Sequence, residues 1–305
     1  TRLSTQQSKR KKKRTMSLKR RPPASDEVFI DHITHIVEDI NVANEDLLKF
    51  GFLTSTKIEL GKNKSSYIHI IFNEGFIKIT DSPNYVFGDN ELPSITGLSL
   101  ETSKLEDVQG RLTLNGFHPM PLTNEQLSSI NPNGNLIDAR ASVCGLRQSD
   151  MDEAYAEFIY HEPEKLIWRN PIPSHTNCIT ALRDVIISAK DPDEATARYS
   201  WFSNKSSIKK IGDLGWKIPL DRGNLVICNS EALSSLLKSE LLTVSGGIAG
   251  YAVLSDNISA TAKFFSDKKL DYIKITNDLL ALPCPQSISG WVFVGKDESV
   301  FPWNS

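Results

Sequence analysis

The sequence has few cysteines and no long apolar run. Its 305 residues include four widely separated cysteines without a CxxC pair: Cys144, Cys178, Cys228 and Cys284. We expect these thiols to be buried rather than bridged, and the protein to be intracellular, in the cytoplasm or the nucleus. No segment approaches the roughly 18 apolar residues of a membrane span, and no apolar secretory segment opens the chain. The sequence therefore predicts no membrane partner.

Several catalytic motifs are also missing. There is no glycine-rich phosphate loop, Walker motif, GxSxG elbow or HExxH pair. These absences argue against kinases, hydrolases of the nucleophile-elbow type and zincins. With 39% apolar and 24% charged residues, the composition is that of a globular protein long enough for two domains.

The net charge of −2 averages two different parts of the chain. Residues 1–27 hold ten Lys/Arg and two acidic residues, a charge of +8, which leaves 35 − 10 = 25 basic and 37 − 2 = 35 acidic residues, or −10, in the remainder. Because residues 1–27 are almost free of apolar side chains, we predict a disordered basic tail. Its KRKKKR and KRR runs are typical of arms that bind an import receptor or nucleic acid, although a solvated tail without a partner has the same composition. Met16 is an alternative start, which leaves open whether residues 1–15 belong to the native protein.

The stretch from Phe29 to Gly51 carries the strongest fold signal. A β-rich run passes into an amphipathic helix and ends at a glycine, and the apolar period changes from 2 to about 3.6. Three further strands are predicted at Leu53–Glu59, Tyr67–Phe72 and Phe76–Thr80. Together they make one βαβββ module.

This pattern returns three times. The four modules start at residues 29, 95, 182 and 248, so successive starts are 66, 87 and 66 residues apart. The equal first and last spacings indicate two pairs of modules, and pairing is what buries a core between their curved sheets. We predict an α+β fold with two domains, residues 28–175 and 176–305, each made of two paired modules.

The arrangement resembles the vicinal oxygen chelate superfamily, which includes glyoxalase I, extradiol dioxygenases and bleomycin-resistance proteins, and within it the glyoxalase-like domain group. The similarity covers roughly residues 28–200. The residues that carry it are Asp31-His32, Glu38-Asp39, Gly51, Ile77 to Thr80, Gly97-Leu98, Phe158-Ile159, Pro173, His175 and Asp191-Pro192.

The resemblance implies a divalent metal in a cup between paired modules, ligated from the first and last strands of each. His32 lies seven residues before Asp39, the spacing of the family's first-strand metal histidine, and is predicted as a metal ligand. The other first-strand positions fall near Gly97, Asp184 and Ala249, of which only Asp184 has a coordinating side chain.

Further donors must come from elsewhere in the chain. His161 and Glu162 end the last strand of module two, and alternation lets only one of them face a given cavity. Glu162 is predicted as the catalytic acid or base, with His161 at the surface. His175 follows a proline-containing loop where the resembling group has a histidine, and it is the second predicted metal ligand.

Lys78 stands where the family carries a ligating glutamate, and a protonated ammonium binds no cation. If Lys78 faces the cup, it would bind an anionic group of a ligand. If the register differs by one residue, it is a solvent-facing lysine on a strand.

Three functions follow from the resemblance. The first is a metal-dependent lyase, isomerase or dioxygenase that acts on a small oxygen-rich molecule with Fe, Mn, Ni or Zn. The alternative is a metal-free protein that binds or sequesters a small molecule in the cup, and the third is a non-catalytic interaction module. The sequence leaves the substrate, the metal and the oligomeric state open.

Overall fold

The structure is a computed structural model, which describes residues 23–60, 65–82, 91–130, 136–162, 174–237 and 246–304. These ranges contain two eight-stranded sheets and five α-helices. The predicted α+β fold is therefore confirmed. No helix in the described ranges has the length and apolar character needed to cross a membrane.

The first sheet is built from two modules that meet along β1 and β5. Its spatial order is β2-β3-β4-β1-β5-β8-β7-β6. Each first strand runs parallel to the last strand of its own module, and β1 and β5 are antiparallel to each other. The strands are Phe29–Ile36 (β1), Ile58–Leu60 (β2), Ser65–Ile71 (β3), Phe76–Thr80 (β4), Ser94–Glu101 (β5), Thr123–Ile130 (β6), Leu136–Gly145 (β7) and Tyr155–Glu162 (β8), with helices Ile40–Lys49 (α1) and Leu105–Leu114 (α2).

The second sheet repeats this plan, with the order β10-β11-β12-β9-β13-β16-β15-β14. Its strands are Ile179–Ser188 (β9), Lys209–Ile211 (β10), Gly215–Pro219 (β11), Asn224–Cys228 (β12), Gly247–Ser255 (β13), Ile273–Thr276 (β14), Leu279–Pro283 (β15) and Trp291–Gly295 (β16), with helices Pro192–Ser203 (α3), Ser230–Leu237 (α4) and Ile258–Asp267 (α5). The predicted pairing of four modules is confirmed. The predicted boundary between residues 175 and 176 falls between β8 and β9.

Capping residues fix where the first helix of each domain begins. The Asp39 side chain accepts hydrogen bonds from the backbone at the start of α1, and Asp191 does the same for α3. Pro192 occupies the first turn of α3, where its missing N–H costs nothing. Gly51 follows α1 with φ +85°, a left-handed conformation that glycine adopts without strain.

Several elements differ from the prediction. The strand predicted at Leu53–Glu59 spans only Ile58–Leu60 (β2), and strand β10 was not predicted. Strand β6 was not predicted, because its polar sequence TNEQLSSI shows no apolar alternation. It is a strand through its backbone pairing with β7. Helix α4 lies between the third and fourth modules and was also not predicted.

The helix-covered faces of the two sheets pack into one continuous core, which includes Ile33, Leu98, Val185 and Tyr251. We call the opposite face of the first sheet, with His32, Lys78, Ser99 and Glu157, the first cup. The opposite face of the second sheet, with Ile186, Val226 and Phe293, is the second cup. Because the shared core joins the helix sides, the two cups lie on far sides of the molecule.

The predicted tail is described only in part. Residues 1–22, which include Met16 and both basic runs, lie outside the described ranges. Within residues 23–27, Glu27 pairs with Arg222 and Asp26 pairs with Lys104. The part of the chain placed against the body therefore begins before the predicted boundary at residue 28.

Candidate active site

Neighbouring strands bring polar side chains together in the first cup. His32 of β1 lies opposite Ser99 of β5, and Ser99 lies opposite Glu157 of β8. Paired residues on adjacent strands project to the same face, so these three side chains meet.

A β-bulge places Asp31 beside His32. The register between β1 and β5 shifts between Ile30 and His32, which inserts Asp31 as an extra residue. The Asp31 carboxylate accepts hydrogen bonds from His32 Nδ1 at 2.7 Å and from His161 Nε2 at 3.0 Å. The bulge thus lets two consecutive residues of one strand join the same polar group.

Ser99 extends this group to Glu157. Its hydroxyl oxygen lies 3.1 Å from His32 Nε2, and the hydroxyl donates to Glu157 Oε1 at 2.5 Å. We call the resulting line His161, Asp31, His32, Ser99 and Glu157 the polar line. Its first four members are each at most 5% exposed. Because buried polar groups are costly unless they are hydrogen-bonded, this line requires a compensating role or complete pairing.

The pKa values of the two carboxyl groups in the polar line are shifted in opposite directions. Burial by itself would raise the pKa of Asp31, but the charges and hydrogen bonds of His161 and His32 outweigh it and lower that pKa. Burial raises the pKa of Glu157, against the opposing effects of His32 and the Ser99 hydrogen bond. The pKa of Asp31 is thus lowered and the pKa of Glu157 is raised, each for a different dominant cause.

Aromatic rings form one wall of the first cup. Phe76 stacks on the His32 ring at 4.4 Å between centroids, and His69 meets Phe76 edge-on at 5.1 Å. Tyr67 packs against His69 at 5.0 Å. An organic ligand in the cup would therefore contact ring faces as well as the polar line.

The second cup is filled by the protein's own side chains. Phe301 and Trp303 of the C-terminal segment and Leu233 and Leu237 of α4 pack with its apolar residues. Asp184, the one predicted coordinating residue here, accepts hydrogen bonds from Trp303 Nε1 and Asn224 Nδ2, both at 2.7 Å. Burial raises the pKa of Asp184 to about 6. The second cup thus provides a comparison within the molecule, since the same architecture is packed there with apolar groups.

The structure places two of the predicted site residues in the first cup. His32 is in the centre of the polar line. Lys78 of β4 pairs with Thr34 of β1 and His69 of β3, and its Nζ lies 5.5 Å from the centre of the Tyr67 ring. Lys78 is therefore on the cup face, the first of its two predicted orientations, and its ligand-binding role stays a prediction.

The structure does not bring the other two predicted residues to the polar line. Glu162 is exposed at the end of β8, whereas its neighbour His161 is buried and bonded to Asp31. His175 accepts from the Leu53 N–H through Nδ1 and donates through Nε2 to the Ile71 carbonyl, so both ring nitrogens bond to backbone. The catalytic role of Glu162 and the metal-ligand role of His175 stay predictions.

Sequence reasoning missed Ser99 and Glu157. A usable signal was present, because Glu157 and His161 lie four residues apart on one strand and so project to the same face. Once His161 is counted as facing the cup, Glu157 follows. Ser99 carries no such signal, since a serine in an apolar strand has no distinctive spacing.

The positions at which the fold family implies a metal carry a poor donor set. Among the cup-facing residues on the first and last strands of the two modules are His32, Lys78, Ser99 and Glu157. A Cβ added at Gly97, the predicted first-strand position of module two, would lie 2.9 Å from the Thr34 Cβ. His32 and Glu157 are instead joined through Ser99, and a lysine replaces the fourth donor, so these residues do not fit a three-ligand site.

A different group has a suitable set of donors. Asp31, Glu101 and His161 are all buried, and each offers one ligand atom within 4.8 Å of the others. Two carboxylates and one imidazole suit divalent ions such as Mn²⁺, Fe²⁺ or Zn²⁺. This group could hold a metal ion, and its chemistry does not select one.

Comparison with known proteins gives matches in structure but not in sequence. No family profile matches the chain, and no curated protein matches it in sequence. A hypothetical protein from Staphylococcus aureus covers 88% of this chain and 98% of its own with a TM-score of 0.59 at 10% identity. A mutant of 4-hydroxymandelate synthase from Streptomyces coelicolor covers 90% and 94% with a TM-score of 0.57 at 12% identity. A Mn(II)-bound glyoxalase from Novosphingobium aromaticivorans covers 89% and 83% with a TM-score of 0.52 at 10% identity.

These similarities extend over both domains and include a synthase and a glyoxalase of the predicted superfamily. At such low identity they concern the fold alone. The predicted resemblance is confirmed at that level, and the chain has the paired-module fold of the vicinal oxygen chelate superfamily.

Proposed function

We propose that the first cup is the active site of an enzyme that transfers a proton to and from a small molecule, with Glu157 as the acid and base. The observation that carries this proposal is the polar line itself. The same face of the second domain is filled mainly by apolar side chains around the hydrogen-bonded Asp184, so the fold does not need a line of joined polar groups there. Retaining five joined polar groups in the first cup is costly for stability and therefore suggests chemistry.

The hydrogen-bond geometry allows two proton arrangements on the same heavy atoms. In one, His32 Nε2–H donates to Ser99, and Ser99 donates to the Glu157 carboxylate. In the other, protonated Glu157 donates to Ser99, and Ser99 donates to bare His32 Nε2. Moving two hydrogens across Ser99 shifts one charge between Glu157 and His32, so Ser99 serves as a proton relay.

Asp31 and His161 support this exchange. The Asp31 carboxylate accepts from His32 Nδ1–H, which fixes the ring so that Nε2 faces Ser99. His161 holds the second oxygen of Asp31 and keeps that carboxylate oriented.

The test uses several carbon acids, which are molecules with an exchangeable C–H next to a carbonyl, rather than a single substrate. Pyruvate, pyruvamide and hydroxyacetone in D₂O report proton abstraction next to a carbonyl as a loss of the methyl or methylene proton signal in NMR. We expect the protein to accelerate exchange of at least one probe, and Glu157→Gln to slow it by about 100-fold or more. Glu106→Gln, an exposed glutamate of α2, is the matched control.

The exposed Glu162 gives the competing prediction. If Glu162→Gln abolishes exchange and Glu157→Gln does not, the catalytic group is the one predicted from sequence and the present proposal is wrong. Binding of the probes without exchange in any of them would instead favour the metal-free binding protein.

The group Asp31, Glu101 and His161 favours a second candidate, a metal-dependent enzyme. A bound divalent ion would supply Lewis-acid polarisation of substrate oxygens. In that case Asp31 and His161 would hold the ion together with Glu101, and Glu157 would still face the substrate from β8.

Metal content separates the two candidates. We would measure Mn, Fe, Ni and Zn by plasma emission in protein purified without chelator or affinity nickel. A stoichiometric metal lost in Glu101→Gln and His161→Ala, but kept in the exposed control His118→Ala, supports the second candidate. Loss in His32→Ala and His175→Ala with retention in Glu101→Gln would place the metal at the ligands predicted from sequence instead.

A further inference from the structure

Lys78 is the cationic side chain of β4 on the cup-facing side. Its strand pairs with β3 on one side and with β1 on the other, so Lys78 stands between His69 and Thr34. Its ammonium lies over the Tyr67 ring. These contacts hold the charge inside the first cup, on the opposite side from Glu157.

The charge of Lys78 shifts the pKa values of His69 and Glu157, which lie on different strands of the cup. Burial lowers the pKa of His69 to about 3, and the positive charge of Lys78 adds to that effect. The same charge acts on Glu157, where it counters the effect of burial. His69 is therefore neutral near pH 7, and it adds no charge beside Lys78.

Strand geometry sets the distance between Lys78 and Glu157. They lie on β4 and β8, with β1 and β5 between them. Lys78 is in register with Thr34, Gly97 and Tyr155, so Glu157 lies three strands across and two residues further along. This amounts to about 16 Å on a flat sheet, and both the curvature of the sheet and the lengths of the two side chains shorten the remaining gap. A molecule of one ring or a few bonded carbons spans it, and Phe76 lies along the way.

We propose that the first cup selects a small organic anion, whose negative group binds Lys78 while its reacting carbon lies at Glu157. This inference rests on the proposed function and names its substrate class. An ammonium is a compact charge with three donors, which suits a carboxylate or a phosphate, whereas the uncharged amide of the same molecule lacks the attraction.

Matched pairs of probes test the selection on the full-length protein. Benzoate is compared with benzamide, pyruvate with pyruvamide, and inorganic phosphate is added as a third anion, each by calorimetric titration and by the shift of melting temperature. We expect at least one anion to bind about tenfold or more tightly than its neutral partner. Which anion binds distinguishes carboxylate from phosphate recognition.

Two lysine variants locate the effect. Lys78→Met should remove the preference for the anion, whereas Lys78→Arg should keep most of it. Lys210→Met is the matched control, since Lys210 also lies over a ring, that of Trp216 at 5.7 Å, but in the second domain.

The outcomes separate this inference from the proposed function. Anion preference that is lost in Lys78→Met and kept in Glu157→Gln supports the inference, even if no probe exchanges its protons. If no anion binds more tightly than its neutral partner, or if Lys78→Met keeps the preference, the inference is wrong. Exchange of pyruvamide and hydroxyacetone at the rate of pyruvate would overturn it while leaving the proposed function intact.

Discussion

His35 lies where the first domain meets the second. Its Nδ1 donates to the Ile288 carbonyl at 3.1 Å, and its ring meets the Tyr251 ring edge-on at 5.7 Å. The side chain is fully buried, and burial lowers its pKa to about 4 although the Ile288 hydrogen bond opposes the change. Since a carbonyl only accepts, Nδ1 carries the proton, and Nε2 is buried without a hydrogen-bond partner in the described part of the chain.

This arrangement predicts a loss of stability in mild acid. Between pH 6.5 and about 4 the unfolded histidine binds a proton and the folded one does not, so the free energy of unfolding falls as the pH falls through that window. The full effect of His35 is about 3 kcal/mol. His35→Asn should be less sensitive to pH over this range in urea unfolding at pH 7 and pH 4.5, and the exposed His118→Asn should behave like wild type. Equal pH dependence of the wild type and His35→Asn would contradict the prediction.

At the residue scale, sequence reasoning located part of the site. His32 could be identified because its spacing to Asp39 matches that of the family's first-strand metal histidine. Ser99 could not, because it is joined to His32 across strands, and the pairing between β1 and β5 is not visible in a single sequence. Glu157 shares a strand face with His161 and was missed together with it. His161 was assigned to the surface since the strand was read in the opposite orientation, and a strand's alternation fixes which residues share a face but not which face is buried.

At the element scale, the C-terminal segment closes the second cup. The Trp303 ring stacks on Phe301 at 5.3 Å and meets Phe293 edge-on at 5.4 Å, and its Nε1 donates to Asp184. Trp303 is 1% exposed. A short terminal segment thus contributes the largest fully buried side chain of the described structure.

Trp303→Ala should therefore destabilise the protein. Deleting a buried tryptophan leaves a cavity and removes one donor from Asp184, for a cost of about 3–5 kcal/mol. Urea unfolding checks this value against Trp201→Ala, whose side chain is 56% exposed and should cost little. The chemical shifts of His32 should stay unchanged in folded Trp303→Ala, since the two cups lie on far sides. A cost below about 1 kcal/mol would mean that the segment does not hold the second cup closed.

Repeated spacing made most elements predictable. The four starts predicted the order of strands and helices, and the strand Phe76–Thr80 was predicted at its observed bounds. Strand β6 was not predicted, because its backbone pairing with β7 makes it a strand and its sequence carries no strand pattern. Helix α4 was not predicted, because it lies between two modules and is not part of the repeat. In addition, the period of a short apolar run does not distinguish a helix from a strand.

At the scale of the whole molecule, the two domains share one core rather than two. The helix-side residues of both sheets belong to the same buried cluster. Arg111 of α2 reaches across to donate to the Trp201 and Phe202 carbonyls at the end of α3, at 2.7 and 2.9 Å. A positive charge at a helix C-terminus stabilises its dipole, so this residue joins the domains electrostatically as well.

The shared core predicts that both domains unfold together. In a Trp168→Phe background the remaining tryptophans, at 201, 216, 291 and 303, report on the second domain, while pulsed thiol labelling at buried Cys144 reports on the first. We expect the two urea transitions to coincide. Arg111→Met should lower both midpoints equally, by an amount equivalent to about 1–2 kcal/mol, because it removes two hydrogen bonds and a helix-end charge. The exposed Arg147→Met should move neither. Separate transitions in the wild type, or a shift in only one probe in Arg111→Met, would mean that each domain keeps a core stable by itself.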